Sequence, residues 1–122
     1  MQSPISDFSK EMQDYVAGLL EERYGHAVDL QLADIELQLN PLEEELTLCP
    51  TLFWAERNAN FVVYKVGENT FHTQFFYSPA EQFGTGIDEF DDLEKCVITV
   101  LQVQADQERV TILRSTTATE LS

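Results

Sequence analysis

Asp34 and Glu36 are the residues of this chain whose type and spacing come nearest to a reactive pair. In extended backbone, residues two apart project from the same side. Two carboxylates so placed can hold a divalent cation or divide acid and base duties. No second ligand set follows nearby, so a solvated strand face is the simpler reading, and a small metal-dependent enzyme using this pair is kept as an alternative. The run Asp88-Glu89-Phe90-Asp91-Asp92-Leu93-Glu94 is also dense in carboxylates. It lacks the alternating acids, central Gly and closing Glu of an EF-hand loop. The first turn of a helix, where negative charge is favoured, accounts for it better.

His26, His72, Cys49 and Cys96 complete the set of soft ligands and nucleophiles. They show neither CxxC nor HxxxH spacing, so a structural zinc site has no support. No base adjoins Cys49 to draw out a thiolate. Both cysteines read as buried and reduced, because a disulfide between them requires an oxidising compartment. There is no P-loop, GxGxxG or GxSxG pattern, and Gly84-Thr85-Gly86 is a two-glycine loop with no further signature. The residues call for no cofactor and no catalytic activity.

Charge carries more information. Lys and Arg total 7 and Asp and Glu total 22, a net charge of −15. Seven acids and no base lie between Arg23 and Arg57, among them Glu43, Glu44 and Glu45. Seven more lie between Lys65 and Lys95, among them Asp88, Glu89, Asp91 and Asp92. Binding to duplex nucleic acid needs clustered bases and is not expected. Such a field attracts cations and basic proteins.

Aromatic residues are concentrated as well. Nine of the thirteen lie between residues 53 and 83. Alternation places Phe53 and Trp54, and likewise Phe75, Phe76 and Tyr77, on both faces of a sheet. Either the protein's own helices cover both faces, or one face waits for a partner or a second copy. Large exposed apolar patches mark interfaces, and Trp, Tyr and Phe anchor them.

The elements that position these residues follow from periodicity. Phe8, Met12, Tyr15, Val16, Leu19 and Leu20 form an amphipathic stripe, predicting a helix over about 4–24 with Ser3 as cap, Pro4 as first residue and Gly25 as stop. From Val28 to Leu39 the period becomes two, with a parity slip at Ala33–Asp34 that a β-bulge or two short strands would explain. Asn40-Pro41 is a turn, and Leu46 and Leu48 open the next strand. Strands at 51–56, 61–66 and 70–77 make a meander. Ser78-Pro79-Ala80-Glu81 has a capping-box pattern and predicts one helical turn ending at Gly84. Residues 89–106 fit a helix, against an alternative hairpin reaching Val110–Leu113.

The expected fold is α+β: an N-terminal helix, an antiparallel meander of about four to five strands, and a C-terminal helix packed on the sheet. It occupies 1–114 as one domain, with 115–122 as a flexible tail. Size, charge and element order resemble small acidic secretion-chaperone domains, a likeness that carries no residues across. No stretch approaches the roughly 18 apolar residues of a membrane span. The start MQSPISDFSKEMQ has no signal-peptide pattern, which with the reduced cysteines predicts a cytoplasmic protein.

The expected function is a non-catalytic protein-binding module: an adaptor, assembly factor or chaperone-like subunit. It would bind a basic protein client and form a homodimer. Its contact residues would be Trp54, Phe53, Tyr64, Phe76 and Tyr77 on the sheet, with Glu43, Glu44, Glu45, Asp88, Glu89, Asp91 and Asp92 around them. An acidic inhibitor mimicking nucleic acid is the second alternative.

Overall fold

The computed structural model of the chain describes residues 5–87 and 89–121, with side chains to residue 110. Helix α1 spans Lys10–Tyr24. Its cap is Ser9, whose Oγ accepts from the Met12 backbone N–H at 3.1 Å. The expected start six residues earlier is therefore corrected; Ser3 and Pro4 themselves lie outside the described residues. Phe8 prolongs the stripe without belonging to the helix. It is buried and stacks on Phe71, with ring centroids 6.1 Å apart. Gly25 ends the helix with φ at 79°, a left-handed cap that glycine adopts without steric cost.

Strands β1 (Gln31–Leu37), β2 (Thr47–Glu56), β3 (Ala59–Gly67), β4 (Thr70–Ser78) and β5 (Glu81–Gly84) form one antiparallel sheet in the order β1-β2-β3-β4-β5. Strand β1 pairs with β2 from Gln31↔Phe53 to Leu37↔Thr47 without a register shift, so neither the bulge nor the break into two short strands expected at Ala33–Asp34 occurs. Leu32 stays with the helix-side parity, whereas Ile35 and Leu37 take the other side of the sheet. Pro50 lies beyond the last β2–β3 pair, Thr51↔Tyr64, where its missing N–H leaves no rung toward β3 open. Arg57 and Asn58 connect β2 to β3 with φ values of 55° and 65°, the two-residue hairpin geometry that matches strand twist. The expected helical turn at 81–84 is instead β5, joined to β4 by Pro79-Ala80. Phe83 pairs with Phe75, their rings stacked at 5.2 Å. That contact outweighs the local capping pattern.

Helix α2 spans Leu93–Leu121, with no hairpin at 110–113. It begins four residues later than expected because Asp92 acts as its cap. Asp92 Oδ1 accepts from the Glu94 N–H at 2.9 Å, and the Asp92 carbonyl accepts from Cys96 N–H at 3.0 Å. The helical backbone continues through Leu121, across the segment the sequence assigns to a tail.

Both helices pack on the same side of the sheet. Val16 and Leu20 of α1, and Cys96, Val97, Val100 and Leu101 of α2, share one cluster with Leu52, Trp54, Phe61, Val63, Phe71 and Phe75. The parity is consistent through the centre of the sheet, since Leu52↔Val63, Trp54↔Phe61 and Phe61↔Phe75 are direct partners; the register shifts only between Lys65 and Gly67 and between Phe76 and Ser78. No described helix side chain joins the opposite face.

Candidate functional site

The face away from the helices is the first candidate surface. Alternation and register place Ala33, Ile35 and Leu37 of β1 on it, with Cys49, Phe53 and Ala55 of β2. Val62, Tyr64 and Val66 of β3 and His72, Gln74 and Phe76 of β4 complete its centre. The remaining positions of this parity are Gln31, Thr47, Thr51, Asn60, Thr70, Gln82 and Gly84; the register shift after Phe76 ends the alternation before the Ser78↔Glu81 pair. None of these residues is Asp, Glu, Lys or Arg. In a chain of net charge −15, a five-stranded face carries no formal charge. Tyr64 is half-buried there, stacked on His72 at 5.9 Å and accepting a hydrogen bond from Gln74 Nε2 at 3.3 Å. Burial pushes its phenol pKa up.

The five aromatic residues singled out from the sequence do not share one surface. Phe53, Tyr64 and Phe76 lie half-buried on the open face. Trp54 is fully buried on the helix side, stacked on Phe61 at 5.2 Å. Tyr77 also faces the helices, where its hydroxyl donates to Gln107 Oε1 at 2.7 Å and accepts from Gln104 Nε2 at 3.3 Å. Trp54 and Tyr77 therefore build the core and are withdrawn as contact residues.

The second candidate surface is the connection between β1 and β2. Residues 38–46 project as an arm whose tip is tied to its base. Gln38 Nε2 donates to the Glu43 carbonyl at 2.6 Å, and the Asn40 side chain accepts from Leu42 N–H at 3.0 Å. Glu43, Glu44 and Glu45 are exposed on it. So are Leu39 and Leu46, while Leu42 is 93% exposed. Beside the arm's base lies an open groove of about 500 Å3, lined by Leu37, Gln38, Leu39, Val66, Thr70, His72 and Glu89. Leu37, Leu39 and Val66 supply aliphatic wall, Gln38, Thr70 and His72 polar wall, and Glu89 a carboxylate. Such a groove fits a long aliphatic side chain that ends in a cation.

The other predicted acids serve different ends. Asp92 caps α2, as described, and Asp91 is exposed near it. Asp88 lies outside the described residues. Asp34 and Glu36 are exposed on the helix-side parity of β1, opposite Pro50 and Leu48. Among the described residues, no three His, Cys, Asp or Glu side chains come together as metal ligands. A further cleft of about 380 Å3 gathers Arg23, Arg57 and Arg109 with Tyr24 and Glu108. Arg57 is engaged by Glu108 through two bonds of 2.7 and 3.2 Å, and Arg109 by Asp106 at 2.7 Å. Its positive charge is largely spent inside the protein.

The exposed leucines of the arm and the Val66–Glu89 groove were not singled out from sequence. The alternation of Leu46 and Leu48 reads as strand, whereas β2 starts at Thr47 and leaves Leu46 outside. The triplet of acids between Leu42 and Leu46 was the available signal.

Among the described residues, no helix is long and apolar enough to cross a membrane. No family model, curated protein or solved structure matches the chain.

Proposed function

We propose that this protein is a non-catalytic protein-binding module, an adaptor or chaperone-like assembly factor whose client is a basic protein. The observation that carries the reading is the arm. Three exposed leucines flank three adjacent glutamates beside a groove walled by Leu37, Leu39 and Val66 with Glu89. Water gains nothing from leucines held out in this way, and burying each against a client is worth roughly 1.5–3 kcal/mol before association costs. The glutamates attract a basic client and orient it on approach. The rest of the uncharged sheet face, away from Glu89 and the glutamates, is a poorer place for that client. Cations pressed onto it would lose water without meeting a counter-charge.

A test needs no knowledge of the natural client. A fluorescent peptide of alternating Lys and Leu serves as probe, with a Glu and Leu peptide as control. The Lys peptide should bind and the Glu peptide should not. Replacing Leu39 and Leu42 by Ser should weaken binding about tenfold or more at any salt concentration. Replacing Glu43, Glu44 and Glu45 by Gln should weaken it at low salt and reduce its salt dependence. Equal binding of the Lys peptide to the wild type and both variants would overturn the assignment of the arm.

A further inference from the structure

We propose that the open face of the sheet is the contact between two copies of this chain, packed face to face about a two-fold axis. The proposal rests on the reading of the protein as a binding module; the contact is centred on Phe53, Val62 and Phe76, away from the corner of the same face, at Leu37, Val66, Thr70 and His72, that lines the client groove.

Charge restricts where two copies can meet. Two copies at −15 repel, and association is least costly where the acids remain at the periphery in water. The open face meets that condition because none of its described strand positions is Asp, Glu, Lys or Arg, and Glu89 adjoins it only at the groove. A face without charge is complementary to itself, which a two-fold contact requires. Its apolar content is the half-buried Ile35, Phe53, Tyr64 and Phe76, set around Val62, which its neighbours already cover. Charged side chains on a partner's surface would be stripped of water against it, so a client selected for its bases is a poor fit.

The size comes close to what a stable contact needs. Five strands about 4.8 Å apart, with β2 to β4 running for 9 to 10 residues at about 3.3 Å each, give a face of roughly 19 by 30 Å. Two such faces cover about 1,100 Å2 when treated as flat, and side-chain relief adds to this. Stable interfaces start at about 1,200 Å2 of buried surface. Two sheets stacked about 10 Å apart would complete a sandwich in which Val62 of the central strand lies near the axis.

The experiment is sedimentation of the full chain over a range of concentration at low and moderate salt. Ala55→Glu and Gln74→Glu are compared with the wild type. Ala55 is exposed and Glu matches Gln in shape, so both variants should retain the wild-type circular dichroism and melting curve. The wild type should be a dimer that tightens as salt screens the acids. Each variant should raise the dimer dissociation constant tenfold or more. A wild-type monomer at all concentrations and both salts would overturn the proposal. So would a dimer that both charged variants leave intact, since it would use another surface. The Lys and Leu peptide is measured on the same samples. Peptide binding by a monomeric wild type would end the dimer and leave the client reading standing. A face-sensitive dimer with no peptide binding would do the reverse.

Discussion

Phe53 and Trp54 are consecutive residues of β2 with opposite surroundings. Trp54 is fully buried against Phe61 beneath the helices, and Phe53 is half-buried on a face that no described helix covers. The two halves of the account meet at this pair. One side chain holds the fold together and the other belongs to a surface for association.

The stability of the chain should separate them. Trp54→Ala should cost about 3–5 kcal/mol, as truncation of a core aromatic does. Phe53→Ala should cost less in dilute protein, where the open face is not covered by a second copy. Urea unfolding of both variants checks this, and equal losses would contradict the division of faces.

The thiols make a second expectation. Cys49 lies on the open-face side of β2 and Cys96 lies in the core under α2, so the sheet separates them. Burial pushes the Cys96 thiol up to about 12 and raises that of Cys49. Both should be free and react slowly with a thiol reagent near neutral pH, because the thiolate is the reacting form. Native mass spectrometry after blocking should show two labels only once the protein is unfolded.

Acid should weaken two ties between distant segments. Glu68 accepts from the Ser6 N–H at 2.9 Å and from its hydroxyl at 3.1 Å, and these bonds hold its carboxyl below the usual range. Glu108 is held low by Arg57 and then by Gln104. A carboxylate lowered in the folded state contributes stability above its unfolded pKa and loses it as pH falls through the folded value. Urea melts from neutral pH down to pH values below the usual carboxylate range should therefore show a declining limb. Glu108→Gln and Glu68→Gln should each flatten part of it. An unchanged limb in both variants would contradict the assignment.

The β2–β3 turn gives a local test. Asn58 holds φ at 65°, a region that Asn tolerates and β-branched residues resist. Asn58→Val should cost about 1–2 kcal/mol, and Asn58→Gly should be neutral or slightly stabilising. Thermal unfolding of the two variants measures the difference.

The meander, the Gly25 stop and the apolar character of both sheet faces were legible because each depends on neighbours in sequence. What was misread depends on contacts between distant residues. Phe8 continues the helical stripe but packs on Phe71. Glu81 completes a capping pattern, but Phe83 pairs with Phe75. The parity slip in β1 reads as a bulge only if the sheet has one apolar face. With two, Leu32 and Ile35 can take opposite sides of a regular strand. The groove was invisible because Leu37, Val66 and Glu89 meet only through the register of β1, β2, β3 and β4. Trp54 and Phe53 could not be sorted by residue type, since both are large and apolar and only the position of the helices distinguishes them.

The central claim is that this acidic protein engages a basic protein through the arm at 38–46 and its neighbouring groove. The most direct measurement is a backbone NMR titration of the full chain with the Lys and Leu peptide. The shifts should concentrate at residues 37–46, at Val66, Thr70 and His72, and at Glu89. Shifts spread evenly over every acidic segment, including α1 and the start of α2, would show attraction by net charge alone and contradict the claim.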